Sequence, residues 1–425
     1  MELYVLFGIF VLLMLIGMPI AFCLAISSLC TALYMGMPAL IVFQQINAGF
    51  NSMAMIAIPL FIFAGELMMR GGIADRMIAF ANSLVGHVRG GLGQVNITSS
   101  LLMSGISGSP VADASAIGGI MVPQMTKRGY KSTYAVNITI TSAIVTLVMP
   151  PSPNLIMYSI AGGGISIVDL FTAGILPGVL LAFALMAVAY IEAVRKGYPS
   201  ERFAGFVAIG RYFVAAIPAF FLIGVIFGGV RFGIFTAAES ACMAVLYVFA
   251  LMAIVYRTGS IHLLSQSVIS ATRTTAMVLL IIGAAASFGW FMAFLQVPSK
   301  VIALISSLSS DPNIVLLLIL LILLALGTFM DLAPMIIITT PIFLPIAMAF
   351  NIDPVHFGVI LILAGGIGLC TPPVGTLLFV GCAVGKVKVG DLLRTLWPYY
   401  LACLATLLIV AYIPSVSLWL PSLFS

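Results

Sequence analysis

Between Glu2 and Glu66 the chain carries no Asp, Glu, Lys, Arg or His. A water-soluble fold does not tolerate such a run, because its surface needs regular charge, whereas each helical crossing of a bilayer needs about 20 apolar residues. Further charge-free runs cover 132–168, 274–299 and 395–425. With 7% charged residues and a mean hydropathy of +1.26, the chain reads as an all-α polytopic membrane protein. The period-two alternation of an outer-membrane barrel is absent. No soluble domain fits between the apolar runs. The N-terminal run, with Glu2 and no basic residue before it, reads as a first span rather than a cleaved signal.

The six cysteines (Cys23, Cys30, Cys242, Cys370, Cys382, Cys403) lie in apolar segments without disulfide or metal-ligand spacing. The three histidines (His87, His262, His356) fall near segment ends. Neither set suits a metal centre, and no prosthetic group or nucleic-acid partner is expected. Membrane lipid surrounds the chain.

Apolar blocks near 3–16, 19–36 and 53–69, a block at 92–126 broken in its middle, and blocks at 133–165 and 170–191 make up a first part, 1–191. The stretch 192–211, with Arg195, Lys196, Gly197, Pro199, Glu201 and Arg202, has the composition of a cytoplasmic linker. A second part, 212–425, has blocks near 212–229, 234–256 and 274–295, a broken block at 313–350, then 356–385 and 395–420. Two less apolar stretches, 39–52 and 258–272, suit the membrane interface, as horizontal arms or as ordinary loop helices.

The second part repeats the first. Asp113 and Pro123 correspond to Asp331 and Pro341 at an offset of 218, and Met149-Pro150-Pro151-Ser152 to Thr371-Pro372-Pro373-Val374 at 222. The segment from Arg76 likewise matches the one from Lys300 at 224. Each part has about five spans and one broken block, and an odd number of spans turns the second copy upside down. With the N-terminus outside, fifteen of the seventeen Lys and Arg fall inside, only Arg231 and Lys300 lying opposite. The first broken block is bounded by Arg89 and Lys127, the second by Asp311 and Asp353. The two therefore enter from opposite faces as re-entrant hairpins, and both termini face the periplasm.

The tip of the first hairpin, from Ser104 through Ser107, Gly108 and Ser109 to Asp113, is too polar and glycine-rich for a lipid-facing helix. The second tip runs from Gly327 and Thr328 to Asp331 and Pro334. Each double proline removes backbone donors, so carbonyls around 146–149 and 368–371 are freed for a cation such as sodium. Half-helices that begin after the prolines, near Asn154 and Thr376, present N–H groups to a small anionic substrate. Intramembrane carboxylates are expensive, which points to function for Asp331. Asp113 fits either the substrate site or a helix cap, and Glu239 either the substrate site or a scaffold lock.

The run Ser104 to Gly118, the Met-Pro-Pro-Ser and Thr-Pro-Pro-Val-Gly pair, and Pro59-Leu-Phe-Ile-Phe-Ala-Gly65-Glu66 resemble the large membrane subunit (M subunit, DctM-like) of tripartite ATP-independent periplasmic (TRAP) transporters. The resemblance covers nearly the whole chain. It implies an elevator-type, sodium-coupled importer of a small organic acid in the bacterial inner membrane. Its partners would be a small four-helix membrane subunit (Q type) and a soluble periplasmic substrate-binding protein (P type). It also implies sodium sites at Ser104, Gly108, Thr146 and Met149 and at Gly327, Gly368, Thr371 and Val374, and a substrate role for Asp331. The candidate substrate contacts are thus Asp331, Ser107, Ser109, Asp113, Pro334, Asn154 and Thr376. Sialic acid is the favoured substrate and a C4-dicarboxylate the next. Two departures stand out: Pro153 follows Pro-Pro-Ser, and Phe329-Met330 beside Asp331 implies a narrower pocket.

The competing readings are a stand-alone sodium- or proton-coupled carboxylate carrier and a channel, which suits paired hairpins less well. An intramembrane enzyme would need a metal cluster or a Ser/His or Ser/Lys pair at span depth, which the peripheral histidines disfavour.

Overall fold

The structure, a computed structural model, describes residues 1–50, 53–104, 109–308, 311–372 and 375–423; the candidate residues Ser107, Gly108 and Val374 lie outside them. Helices α1 (Glu2–Leu15), α2 (Ile20–Tyr34) and α3 (Leu40–Ala48) are followed by α4 (Ala57–Arg70) and α5 (Ile73–Val85). A hairpin of α6 (Gly91–Met103) and α7 (Pro110–Lys127) leads to a broken helix of α8 (Ser132–Ser142), α9 (Val145–Val148) and α10 (Pro153–Ala161), and then to α11 (Ile167–Lys196). The second part runs through α12 (Phe206–Arg231), α13 (Ala237–Ala250), α14 (Ile261–Phe294) and α15 (Val297–Leu308). A second hairpin of α16 (Pro312–Gly327) and α17 (Leu332–Ala349) precedes the broken pair α18 (Pro354–Gly368) and α19 (Thr376–Gly385), then α20 (Val389–Tyr412) and α21 (Ser415–Ser422). No strand occurs among the described residues. Six of these helices are long and apolar enough to cross a membrane, or up to eight spans if each bent pair counts as one. The described residues thus form an all-helical polytopic protein.

The packing is that of a protein dissolved in lipid. Leu12, Phe183, Phe221, Leu246, Leu321 and Leu401 are exposed on the outside, while Gln94, Asn96, Asn137 and Thr141 are buried. Every residue from Tyr134 to Ser142 in α8 and from His356 to Gly368 in α18 is buried. The first hairpin packs on α8 and the second on α18. Asn96 Nδ2 donates to Thr139 Oγ1 at 2.7 Å and Ser100 Oγ to Ser142 Oγ at 3.0 Å, which ties α6 to α8 by side-chain hydrogen bonds in the buried interior. Arms α6 and α16 have 13 and 16 residues and rise only about 20 and 24 Å. Both are shorter than a hydrocarbon layer about 30 Å thick.

Three expectations need correction. The span near 53–69 does not end the first block: α4 turns by 67° across Gly71 and Gly72 into α5, with Gly72 at φ +82°. Helix α5 buries Ile73, Ala74, Met77, Phe80 and Ala81 while Asp75 is exposed, and this amphipathic pattern is too polar to read as an apolar block. The double proline does break the block 133–165, which bends by 51° between Ser132–Val148 and Pro153–Ala161. The stretch 258–272 is not a separate arm, because residues from Ile261 onward continue without a break through the 34-residue α14, about 51 Å long. The linker is shorter than 192–211, since α11 carries through Lys196, which leaves 197–205.

That short connection is held along its length. Gly90 N donates to Pro199 O at 3.2 Å and Tyr130 Oη to the same oxygen at 2.9 Å. Glu201 N donates to Gly86 O at 3.1 Å, and the Glu201 carboxylate accepts from Asn82 Nδ2 at 3.0 Å and from Arg128. Tyr198 packs its ring on Tyr130 and Tyr134, with centroids 4.6 and 4.8 Å apart.

Candidate transport site

Three helices begin at one place. Helix α7 starts with Pro110 behind Ser109, whose Oγ accepts from Ala112 N at 3.3 Å. Helix α10 starts with Pro153 behind Ser152, whose Oγ donates to Leu147 O at 2.6 Å across the double-proline break. Helix α17 starts behind Asp331, whose Oδ1 accepts from Leu332 N at 2.9 Å. In the first two, proline occupies the first helical position, where its missing N–H costs nothing. All three starts border one cavity of about 90 Å³ that includes Ser109, Asn154 and Asp331, closed on its apolar side by Ile58, Met157 and Val278. Helix starts carry partial positive charge and free N–H groups, so the cavity attracts an anion at three points and offers one carboxylate as an acceptor.

Of the candidate substrate contacts, Ser109, Asn154 and Asp331 come together here. Of the other described candidates, Asp113, Pro334 and Thr376 do not line this cavity. Asp113 is 1% exposed in the first turn of α7, where Ser109 is the cap, and Pro334 is buried in α17. Thr376 opens α19 on the far side of the second break, and its buried Oγ1 has no partner among the described residues. Phe329 and Met330 do not narrow the pocket, because its wall is made by Asp331, Leu332 and Ala333, which follow them. Met330 is buried and Phe329 is exposed. Pro153, the other departure, lines the cavity.

At the second break, hairpin tip and broken helix meet backbone to backbone. A Cβ on Gly368 would lie 2.6 Å from Gly327 Cα, and one on Gly327 would lie 2.9 Å from Gly368 Cα. Gly375 N donates to Thr328 O at 3.1 Å, which joins tip and break. A Cβ on Gly375 would stand 2.8 Å from Thr371 O and 3.0 Å from Leu369 O, so both carbonyl oxygens lie close to Gly375, with Leu369 O also accepting from Leu377 N at 3.2 Å. Thr371 Oγ1 lies 2.9 Å from Ile367 O and 3.0 Å from Tyr400 Oη. Its single proton goes to the carbonyl, which cannot donate, so Tyr400 donates to Thr371. Tyr400 is a neighbour the sequence did not reveal: it sits on α20, outside the repeated motifs.

At the first break, both α6 and α7 pack on α9. Thr146 Oγ1 donates to Ala143 O at 2.8 Å, Ser104 Oγ donates to Leu101 O, and Met149 is extended at ψ 134°. The two breaks thus offer hydroxyl and carbonyl oxygens. Glu239 belongs to neither. It forms a capping box with Thr236 at the start of α13, which the Thr-Ala-Ala-Glu spacing already encodes.

A family model for the DctM component of the tripartite ATP-independent periplasmic transporter matches residues 7–416. The chain belongs to this family. Among its relatives, the uncharacterized protein YgiK of Salmonella typhimurium is 42% identical over 424 residues, covering 99% of this chain and 97% of that one. The sialic acid TRAP transporter large permease SiaM of Vibrio cholerae is 36% identical over 96% of both chains. The 2,3-diketo-L-gulonate large permease YiaN of Escherichia coli is 34% identical over 94% of both. The crystal structure of the Alcanivorax borkumensis YdaH transporter superposes with a TM-score of 0.63 over 87% of each chain at 13% identity, a likeness of fold. This DctM-family chain is therefore the large permease component of a TRAP transporter, in a family of transport proteins. The sialic acid branch is one of several to which it is comparably similar.

Proposed function

We propose that this chain carries a small organic acid into the cytoplasm with sodium, by an elevator movement of its hairpins and broken helices. It receives the acid from a soluble periplasmic binding protein and works beside a small four-helix subunit in a bacterial inner membrane. The observation that carries this reading is the meeting of three helix starts and Asp331 in one cavity. Helix starts hold the carboxylate of the acid. Asp331 accepts hydrogen bonds from its hydroxyls and repels a second carboxylate, which favours a polyhydroxylated monocarboxylate such as sialic acid over a C4-dicarboxylate. Fifteen of seventeen Lys and Arg on one side support periplasmic termini.

For the ion, Gly327, Gly368 and Thr371 supply hydroxyl and carbonyl oxygens, while the one carboxylate of this tip, Asp331, lines the substrate cavity. Such a set suits a hard monovalent cation, while a divalent one draws carboxylates. We expect reconstituted vesicles to take up the acid only with sodium, the binding protein and the small subunit present. Full-rate accumulation by this chain alone would remove the partners from the reading. Thr371→Ala should raise the sodium needed for half-maximal uptake about fivefold, the effect of one lost ligand worth ~1 kcal/mol.

Tyr400→Phe tests the same site from outside. Without the phenol proton Thr371 is less well oriented, so the sodium requirement should rise about twofold while the half-saturating acid concentration stays put. A change in the acid's half-saturation with sodium dependence unaltered would separate Tyr400 from the ion.

A further inference from the structure

A second chamber of about 400 Å³ opens beside the first and shares Ile62, Ser109 and Thr274 with it. Its walls include Glu66 and Arg70 of α4 and Ser115 of α7. Among the described residues, Arg70 is the single cation lining either chamber. It is held from two sides: Nε donates to Glu66 Oε2 at 3.1 Å and Nη1 to Gln266 Oε1 of α14 at 3.1 Å. Glu66 is fixed in turn, its Oε1 accepting from Ser270 Oγ at 2.7 Å. Both oxygens of Glu66 are thus engaged, while Nη2 of Arg70 has no partner among the described residues. A guanidinium clamped by Nε and Nη1, with one edge left over, is preorganised to take a carboxylate.

We propose that Arg70 is a second anion site, on the release side, which takes the carboxylate of the transported acid as it leaves the three helix starts and before it reaches the cytoplasm. The proposal rests on the reading of the first chamber as the site of an organic anion and of the basic side as cytoplasmic. Shared walls at Ser109 and Thr274 make the two sites consecutive. An anion leaving a set of helix dipoles toward low-dielectric walls needs a further positive group on its way, and Arg70 supplies the charge while Glu66 keeps the empty site from attracting other anions strongly.

The test uses the full complex in vesicles of known orientation with sialic acid as the probe, and measures half-saturation separately for external acid, delivered by the binding protein, and for internal acid in counterflow. Arg70→Gln should raise the internal value about tenfold and leave the external value within twofold. Arg70→Lys, which keeps the charge without the fork, should raise it less. In the unmodified protein, added internal potassium chloride should raise the internal value more than external salt raises the external one, because an exposed guanidinium is screened. Equal shifts on both sides, an unchanged internal value in Arg70→Gln, or no internal salt effect would each overturn the assignment. Failure of the unmodified complex to move any organic acid would instead remove the underlying function.

Discussion

Asp331→Ala should reduce uptake of the delivered acid to below about a hundredth of the unmodified rate while the protein still folds and purifies. The side chain is exposed into the cavity, and its one hydrogen bond among the described residues is the cap to Leu332 N. Losing a cap costs about 1 kcal/mol, too little to unfold a protein this size. Losing a charged acceptor for two substrate hydroxyls removes roughly 3 kcal/mol or more of binding, which is over a hundredfold. Uptake measured in vesicles beside thermal unfolding in detergent separates the two effects. If Asp331→Asn turned a pH-dependent carrier into a pH-independent one while Thr371→Ala left the sodium titration unchanged, protons would be the coupling ion.

Gly368→Val should have the largest effect on stability. The added Cβ would meet Gly327 Cα at 2.6 Å and its carbonyl carbon at 2.8 Å, and backbone cannot move aside as a flexible side chain can. The hairpin tip must then separate from the break, at a cost of about 3 kcal/mol or more, and uptake should be lost with it. Gly119→Ala, where nothing lies within 4 Å of the new Cβ, is the control and should unfold where the unmodified protein does. An unaltered unfolding temperature for Gly368→Val would mean that tip and break do not meet as described.

What could be read from the chain without its structure follows the range of the forces involved. Charge-free runs report directly on the solvent, so the helical membrane fold was legible from them alone. The double prolines marked both broken helices because proline acts on its own backbone. Helix α5 was hidden, although its match to the segment from Lys300 was visible, since one face of Ile73, Met77 and Phe80 is too sparse for a span. Continuity of α14 through Gln266 and Arg273 was hidden because polarity suggests an interface even where a long helix simply projects beyond the lipid. The cavity shows the same division. Asp331 stood out as a costly charge, yet its company with Ser109 and Asn154 depends on packing between distant segments, as does the pairing of Tyr400 with Thr371. Glu239 could have been placed from its capping-box spacing, a local signal that its position among apolar residues obscured.

Residues 197–205 join the two parts of the chain, and such joints in most proteins are where a protease cuts harmlessly or a tag goes unnoticed. Here Pro199 O accepts from both Gly90 N and Tyr130 Oη, and Glu201 bridges Asn82 and Arg128. The segment is a strap laid across the ends of α5, α6, α7 and α8, so a nick within it would leave the pieces clasped, whereas an inserted reporter domain would pry apart the surface beneath. For anyone labelling this protein, the seam between its parts tolerates a cut but is among the least permissive places for an insertion.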